Sequence, residues 1–315
     1  MRLPLVLMIN KKTNAIITFC AGALFALGNV NLSASTPDDG HALWGDIDYD
    51  GAPWVENVSS LANISKGLQG RHIALWASHG RYYDNNRGRW TWQRPNLFCT
   101  TEDLFTPTIV GPFLIPMLQN AGAIVFTPRE RDLQTMEYVV DPDGGLNTSA
   151  ASYKEYSGSD SWEPTAAPGF AAHSGDYHDN ENPFTAGSAR QIKSTKKAGK
   201  AFVKWQPYFI RKGQYAVYVS YQTVDKSVDD AHYTVFHQGI ATEFRVNQRM
   251  GSGTWVYLGT FTFDEGSSVD NCVMLTNQSR KRKAIVTADA VRFGGGMGNI
   301  ERGGSVSGMP RALEG

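Results

Sequence analysis

The sequence predicts two architectures in one chain, an α/β segment in its first half and an all-β sandwich in its second. Three observations carry this. Apolar runs at residues 73–77 and 124–127 flank apolar residues at helical spacing, the strand, helix, strand order of a βαβ unit. After residue 200, short alternating segments recur between turn signals, as in a sandwich. Glycine is abundant, at 32 of 315 residues, and Trp and Tyr crowd among turn residues, a composition of β-rich extracellular modules more than of helical cytosolic enzymes.

The amino terminus has the layout of a secretory signal peptide, expected to span residues 1–35. Lys11 and Lys12 precede an uncharged apolar run at 15–27, and Leu32-Ser33-Ala34-Ser35 supplies small residues for cleavage. That run is too short for a comfortable membrane span, so no stable span is expected after cleavage. The expected address is the periplasm, cell surface or extracellular space. Cys20 lacks the small residues that precede a lipid-anchored cysteine. Cys99 and Cys272 fall in different expected domains and cannot build a disulfide framework, so both are expected to be buried and free. Lys plus Arg equals Asp plus Glu at 30 each. No basic nucleic-acid footprint follows, and net charge does not name a partner.

Residues 37–63 have no sustained period and read as a loop-rich lead-in. Asp46-Ile47-Asp48-Tyr49-Asp50-Gly51 imitates the start of a calcium loop, but the twelfth position, where a helix-loop-helix site wants glutamate, is Asn57. The first strand then delivers Ser78-His79-Gly80. Thr101-Glu102-Asp103 opens a helix with Leu104, Thr108, Ile109, Phe113, Met117 and Leu118 on one buried face, ended by Asn120-Ala121-Gly122. Pro107, Pro112 and Pro116 predict that this helix is kinked or broken. The second strand delivers Pro128-Arg129-Glu130-Arg131-Asp132, and sheets of this kind place reactive residues just past the carboxyl ends of their strands.

Residues 141–200 form a polar crossing too long for a loop within one domain, and mark a change of domain. Strands are predicted at 201–205, 214–222, 232–237, 243–247, 254–263, 271–275 and 284–293. Turn signals at Arg211-Lys212-Gly213, Gly251-Ser252-Gly253 and Asp264-Glu265-Gly266 separate them. Residues 294–308 read as a glycine-rich linker and 309–315 as the beginning of a helix.

Two stretches resemble known families. The segment His72 to Gly80, with Trp90-Thr91-Trp92-Gln93-Arg94, Glu102-Asp103-Leu104 and Arg129-Glu130-Arg131-Asp132, resembles the N-terminal half of zinc-dependent N-acetylmuramoyl-L-alanine amidases of the type often labelled xanthan lyase. Residues 205–293 are similar to the golvesin C-terminal-like, or xanthan lyase carbohydrate-binding-like, domain. The motifs behind that are Gly213-Gln214-Tyr215-Ala216-Val217-Tyr218-Val219, Tyr233-Thr234-Val235-Phe236-His237, Trp255-Val256-Tyr257-Leu258-Gly259 and Ala288-Asp289-Ala290-Val291-Arg292-Phe293.

Together the resemblances imply an amidase-like α/β domain beginning at 37–140, a sandwich inserted at 201–296, and a truncated return to the first domain at 297–315. They also imply His79 and Glu102 as zinc ligands. The family's Asp-Pro-Gly-His-Gly is Trp76-Ala77-Ser78-His79-Gly80 here, and its later histidine and catalytic glutamate have no counterpart before Gly315. Catalytic zinc takes three protein ligands and lowers the pKa of a bound water. His72, His173 and His178 are conceivable third ligands, though nothing in their spacing recommends them.

Each candidate has a plainer reading. His79 could be a hydrogen-bonded structural residue, Glu102 could favour a helix start through the dipole, and Arg129 could pair with Asp132 instead of contacting substrate. Trp205, Tyr208, Tyr221 and Trp255 are candidates for stacking on sugar rings, although alternation sends half of such aromatics into the core. The expectation is an exported protein directed at peptidoglycan or polysaccharide, amidase-like but inactive as this chain alone. The alternative is a noncatalytic carbohydrate-binding or surface-interaction protein. A polysaccharide lyase is disfavoured, because no Tyr or His proton-transfer constellation stands out.

Overall fold

The computed structural model describes residues 52–60, 67–75, 77, 81–84, 86–94, 96–97, 100–127, 132, 134, 136–148, 152–172, 181–197 and 201–295. The strands, in chain order, begin with β1 (Val55–Asn57), β2 (His72–Ala74), β3 (Arg81–Asp84), β4 (Arg89–Trp92), β5 (Asn96–Leu97) and β6 (Thr100–Thr101). There follow β7 (Ile124–Phe126), β8 (Glu137–Val140), β9 (Tyr153–Tyr156), β10 (Glu163–Gly169), β11 (Gly187–Lys193), β12 (Phe202–Trp205) and β13 (Gly213–Val219). The last are β14 (Ala231–His237), β15 (Ile240–Val246), β16 (Val256–Phe263), β17 (Asn271–Thr276), β18 (Ile285–Ala288) and β19 (Val291–Gly294).

Two antiparallel sheets face each other across one apolar core. One has six strands in the order β1-β15-β14-β17-β12-β9, and the other has four in the order β16-β13-β19-β8. Alternation sends Val203, Trp205, Val235, Phe244 and Leu275 inward from the first, against Tyr138, Val217, Val219, Phe263 and Phe293 of the second. A three-stranded sheet, β10-β11-β18, adds Ile192, Val286 and Ala288 to the same core. Strands predicted after residue 200 form close to where expected, except that the one at 284–293 is two, β18 and β19, which a turn at Asp289 sends into different sheets. The polar crossing at 141–200, by contrast, contains β9, β10 and β11, and β1 and β8 also pair into the sandwich from segments assigned to the lead-in and the α/β part. Prolines at both ends of β10 and the charged Lys154 and Glu155 of β9 masked these strands.

The α/β segment is small. β2 and β7 pair in parallel, His72 opposite Ile124, with helical turns between them. These are α1 (Glu102–Phe105), α2 (Pro107–Ile109), a π-helical turn (Val110–Leu114) and α3 (Ile115–Asn120). The helix is therefore broken, as its prolines require. Its buried face differs from the expected one. Val110 and Ile115, with Leu114 and Leu118, pack on Ile73, Leu75 and Val125, whereas Phe113 and Met117 are exposed at 62% and 68%. A π turn inserts an extra residue per turn, which rotates the following side chains out of phase.

Trp54 joins this segment to the sandwich. Its ring lies 4.6 Å from that of Phe126, its backbone N–H donates to His72 Nε2 at 3.1 Å, and its Nε1–H donates to the buried Tyr221 hydroxyl. Gly251 lies against that ring with φ at +73°, and a Cβ there would sit 1.9 Å from Trp54 Cζ2. Gly251→Ala is therefore expected to lower stability by about 1–3 kcal/mol, through left-handed backbone strain and a displaced indole. The measurement is a lower urea midpoint with an unchanged slope.

Candidate binding face and buried acidic cluster

The same register that fills the core fixes what the six-stranded sheet shows to solvent. With Val203 and Trp205 inward, Phe202 and Lys204 of β12 point outward, and paired residues share a face. One row crosses all six strands: Tyr156 opposite Phe202, Phe202 opposite Thr276, Thr276 opposite His232, His232 opposite Arg245, and Arg245 opposite Glu56. A second row places Lys154, Lys204, Met274, Thr234 and Glu243 side by side. With strands about 4.8 Å apart, the first row is roughly 24 Å long and the second, over five strands, roughly 19 Å.

The first row combines an apolar platform with polar groups. Tyr156 and Phe202 stack with centroids 4.4 Å apart and planes 17° from parallel, and Tyr156 is 42% exposed. The stack fixes the two rings against each other at small conformational cost. Further along, Arg245 Nη1 approaches His232 Nε2 closely, and Asp230 Oδ2 lies 4.0 Å from the same nitrogen. Burial, then the Arg245 guanidinium, holds the His232 imidazole below its usual pKa. It is therefore neutral near pH 7, and the contact with Asp230 is not an ion pair. Asp230 is itself wholly buried and accepts from Ser279 Oγ at 2.5 Å and from the Arg280 backbone and Nε at 2.8 and 3.1 Å.

The expected aromatics fall elsewhere. Trp205 is fully buried, with Nε1–H donating to Asp289 O at 2.8 Å, and Tyr221 is fully buried, its hydroxyl donating to Met250 O at 2.7 Å. Neither can reach a sugar, because both fill the space between the sheets. Trp255 is half-buried in a cluster with Phe170 and Phe184, with the Arg292 guanidinium 5.9 Å from its ring. Arg292 is itself buried, stacked over Tyr218 and 2.8 Å from Glu137 Oε1, an ion pair sealed under that cluster. Tyr208 is 59% exposed, in the loop after β12. Missed were Tyr156, which lay in the polar crossing, and Phe202, whose partner only strand pairing reveals.

His79, Arg129, His173, His178, Cys99, the signal segment, the calcium-like run and residues 297–315 lie outside the described residues. Glu102 begins α1, capped by Thr101, whose hydroxyl accepts from the Asp103 backbone at 3.4 Å. His72 Nε2 is occupied by the Trp54 amide, and its ring stacks on Phe126. Among the described residues no group of three His, Cys, Asp or Glu side chains is placed to hold a metal. Cys272 is buried and free, as expected.

A separate cluster lies beneath the loops. Asp289, in the turn between β18 and β19, accepts from Phe170 N–H at 3.0 Å and from Ser220 Oγ at 2.6 Å. Burial nevertheless raises its pKa to about 6. Asp141 is 3% exposed, and its Oδ1 accepts from the Asp143 backbone at 2.7 Å while its Oδ2 has no partner. Burial, then the Asp289 carboxylate, raises its pKa to about 8. Asp143 accepts from Ser188 Oγ at 2.8 Å.

Residues 165–295 match the golvesin C-terminal domain family. The match starts inside β10 and takes in β11, upstream of the sandwich start expected from sequence. Among solved structures, a Paenibacillus xanthan lyase is 22% identical, with TM-score 0.37, covering 51% of this chain and 13% of its own. An Arthrobacter globiformis T6 isomalto-dextranase complexed with panose is 13% identical, with TM-score 0.27 and coverage of 52% and 31%. A Clostridium thermocellum endo-1,4-β-D-xylanase 10B, its CBM22-1 and GH10 modules complexed with xylohexaose, is 8% identical, with TM-score 0.25 and coverage of 55% and 30%. The chain thus spans under a third of the length of each. No curated protein matches it. No helix among the described residues is long and apolar enough to cross a membrane.

The cluster has a pH consequence. A carboxyl whose folded pKa is raised keeps its proton in the native state while the unfolded chain releases it, so stability falls as pH rises across that interval. For Asp141 the interval runs from the ordinary carboxyl value of 3.8 to about 8. The melting temperature is expected to fall steadily between these limits, with Asp289 contributing at the acidic end. Asp141→Asn should flatten the profile and exceed wild type near pH 8; an unchanged slope would remove Asp141 from the account.

Proposed function

We propose that this chain is an exported, noncatalytic carbohydrate-binding module that grips a polysaccharide on the outer face of its six-stranded sheet. One observation carries the reading: the row Tyr156, Phe202, Thr276, His232 and Arg245. A sugar ring has an apolar face and a polar rim. The stacked pair meets the face, while the hydroxyl, imidazole and guanidinium beside it meet the rim. The match to the golvesin C-terminal domain, which residues 205–293 already resembled in sequence, supports the same reading. Export follows from the layout of the first 35 residues. The zinc amide hydrolase remains without a third ligand for Glu102 among the described residues.

Affinity electrophoresis in gels containing soluble polysaccharides tests the proposal. Phe202→Ala should weaken binding roughly tenfold, the equivalent of about 1.4 kcal/mol and within the range of an aromatic contact. Its melting temperature should change little, because Phe202 is only half-buried. Tyr208→Ala, on the loop at the other end of β12, should bind as wild type. Retardation lost in the Tyr208 variant and kept in the Phe202 variant would move the site to that loop.

A further inference from the structure

The chain has no net charge, yet the fold gathers cations at one end of the binding row. Two turns carry them. Lys193, Lys196 and Lys197 close β11, and the run Arg280-Lys281-Arg282-Lys283 follows β17; all seven side chains are exposed. The turns are laced together through their backbones. Thr195 N–H donates to Asn277 O, Ser279 N–H to Thr195 O and Lys283 N–H to Ser194 O, at 2.9, 2.9 and 3.0 Å, and Ser194 Oγ–H donates to Lys281 O at 2.7 Å.

Local carboxylates neutralise only part of this charge. Asp229 takes Lys281 Nζ at 2.7 Å, and Asp230 takes Arg280 Nε at 3.1 Å. Lys193, Lys196, Lys197, Arg282 and Lys283 form no ion pair among the described residues. Seven cations against two acids at these turns leave a strongly positive surface in a neutral protein.

Its position decides what it is for. Thr276, in the middle of the row, is followed directly by the turn that ends at Lys283, and the Asn277 amide donates to the Ala201 carbonyl, next to Phe202. On the sheet itself Lys204 and Lys154 add positive charge in the row next to that of Phe202 and Tyr156. The acids of this face, Glu56 and Glu243, lie on β1 and β15 at the far edge. A chain lying along the row from Tyr156 to His232 would therefore have positive charge along its flank. We infer that the polysaccharide bound here is anionic, a carboxylate-bearing chain whose rings sit on the row and whose acidic groups face the two turns. A nucleic acid suits the molecule less, since the sequence pI of about 7.1 is far from the basic range of such proteins. An anionic bilayer suits it less again, because no amphipathic helix among the described residues flanks the turns.

This inference rests on the carbohydrate-binding reading, and the test separates the two. Binding of the whole chain to polygalacturonate, alginate and dextran is compared by affinity electrophoresis, with duplex DNA and phosphatidylserine vesicles as further probes. The expected result is retardation by both polyuronates and little by dextran. The polyuronate affinity should fall roughly tenfold between about 50 and about 200 mM salt, as counterion release by a few contacts requires. The triple variant Lys196→Glu, Lys197→Glu, Arg282→Glu changes exposed groups without ion-pair partners and should keep its melting temperature. It should lose polyuronate binding at least tenfold, as should Phe202→Ala. Equal, salt-insensitive binding to dextran and polygalacturonate would overturn the anionic assignment and leave the module intact. Binding to no polysaccharide would overturn both, and tighter binding to DNA or vesicles would overturn the choice of partner.

Discussion

The burial of Trp205 between the sheets is the constraint on which the molecule turns. Its indole N–H is tied to the carbonyl of Asp289, whose carboxylate is tied in turn to Phe170 and Ser220. One residue in a tight turn thus holds β12 of the six-stranded sheet, the end of β10 and the end of β13 in fixed relation. Once Trp205 is inside, the period of two along β12 leaves Phe202 no choice but to face out. A slip of one residue would exchange core and surface together, and the stacked pair with Tyr156 would vanish.

Burying this acidic turn sets up the protein's main electrostatic tension. Hydrogen bonds satisfy Asp289, but Asp141 beside it keeps an oxygen without a partner, and the inexpensive solution is for that carboxyl to hold its proton. The buried pair of Arg292 and Glu137 is the opposite solution, two charges neutralising each other beneath Trp255 and Tyr218. Both features belong to the interior, and neither faces the binding row. Trp54 ties the α/β segment to the sandwich, seated against Gly251, whose positive φ and missing Cβ leave room for the indole.

Much of the sandwich was legible in the sequence because its strands alternate and its turns carry glycine in the positions that need it. The parallel pair of β2 and β7 and the broken helix were legible for similar reasons, since proline breaks a helix wherever it stands inside one. The phase of that helix was not, because the π turn at Val110–Leu114 shifts the side chains that follow it and leaves no periodic trace. β9 and β10 were missed because edge strands tolerate prolines and charges that would exclude a central strand.

The sequence alone determined the alternating strands after residue 200, the likeness of the second half to the golvesin C-terminal domain, and the kinds of residue available for binding. Those are local properties, set by spacing and side-chain chemistry within a few residues. The choice of aromatic was decided only in three dimensions. Trp205 and Tyr221 look as suitable as Phe202 and Tyr156 until strand pairing sends the first two inward and brings the second two together from positions 46 residues apart. Charge behaved the same way. A balance of 30 against 30 hides a segregation that exists only because hydrogen bonds between two distant turns set their lysines and arginines side by side.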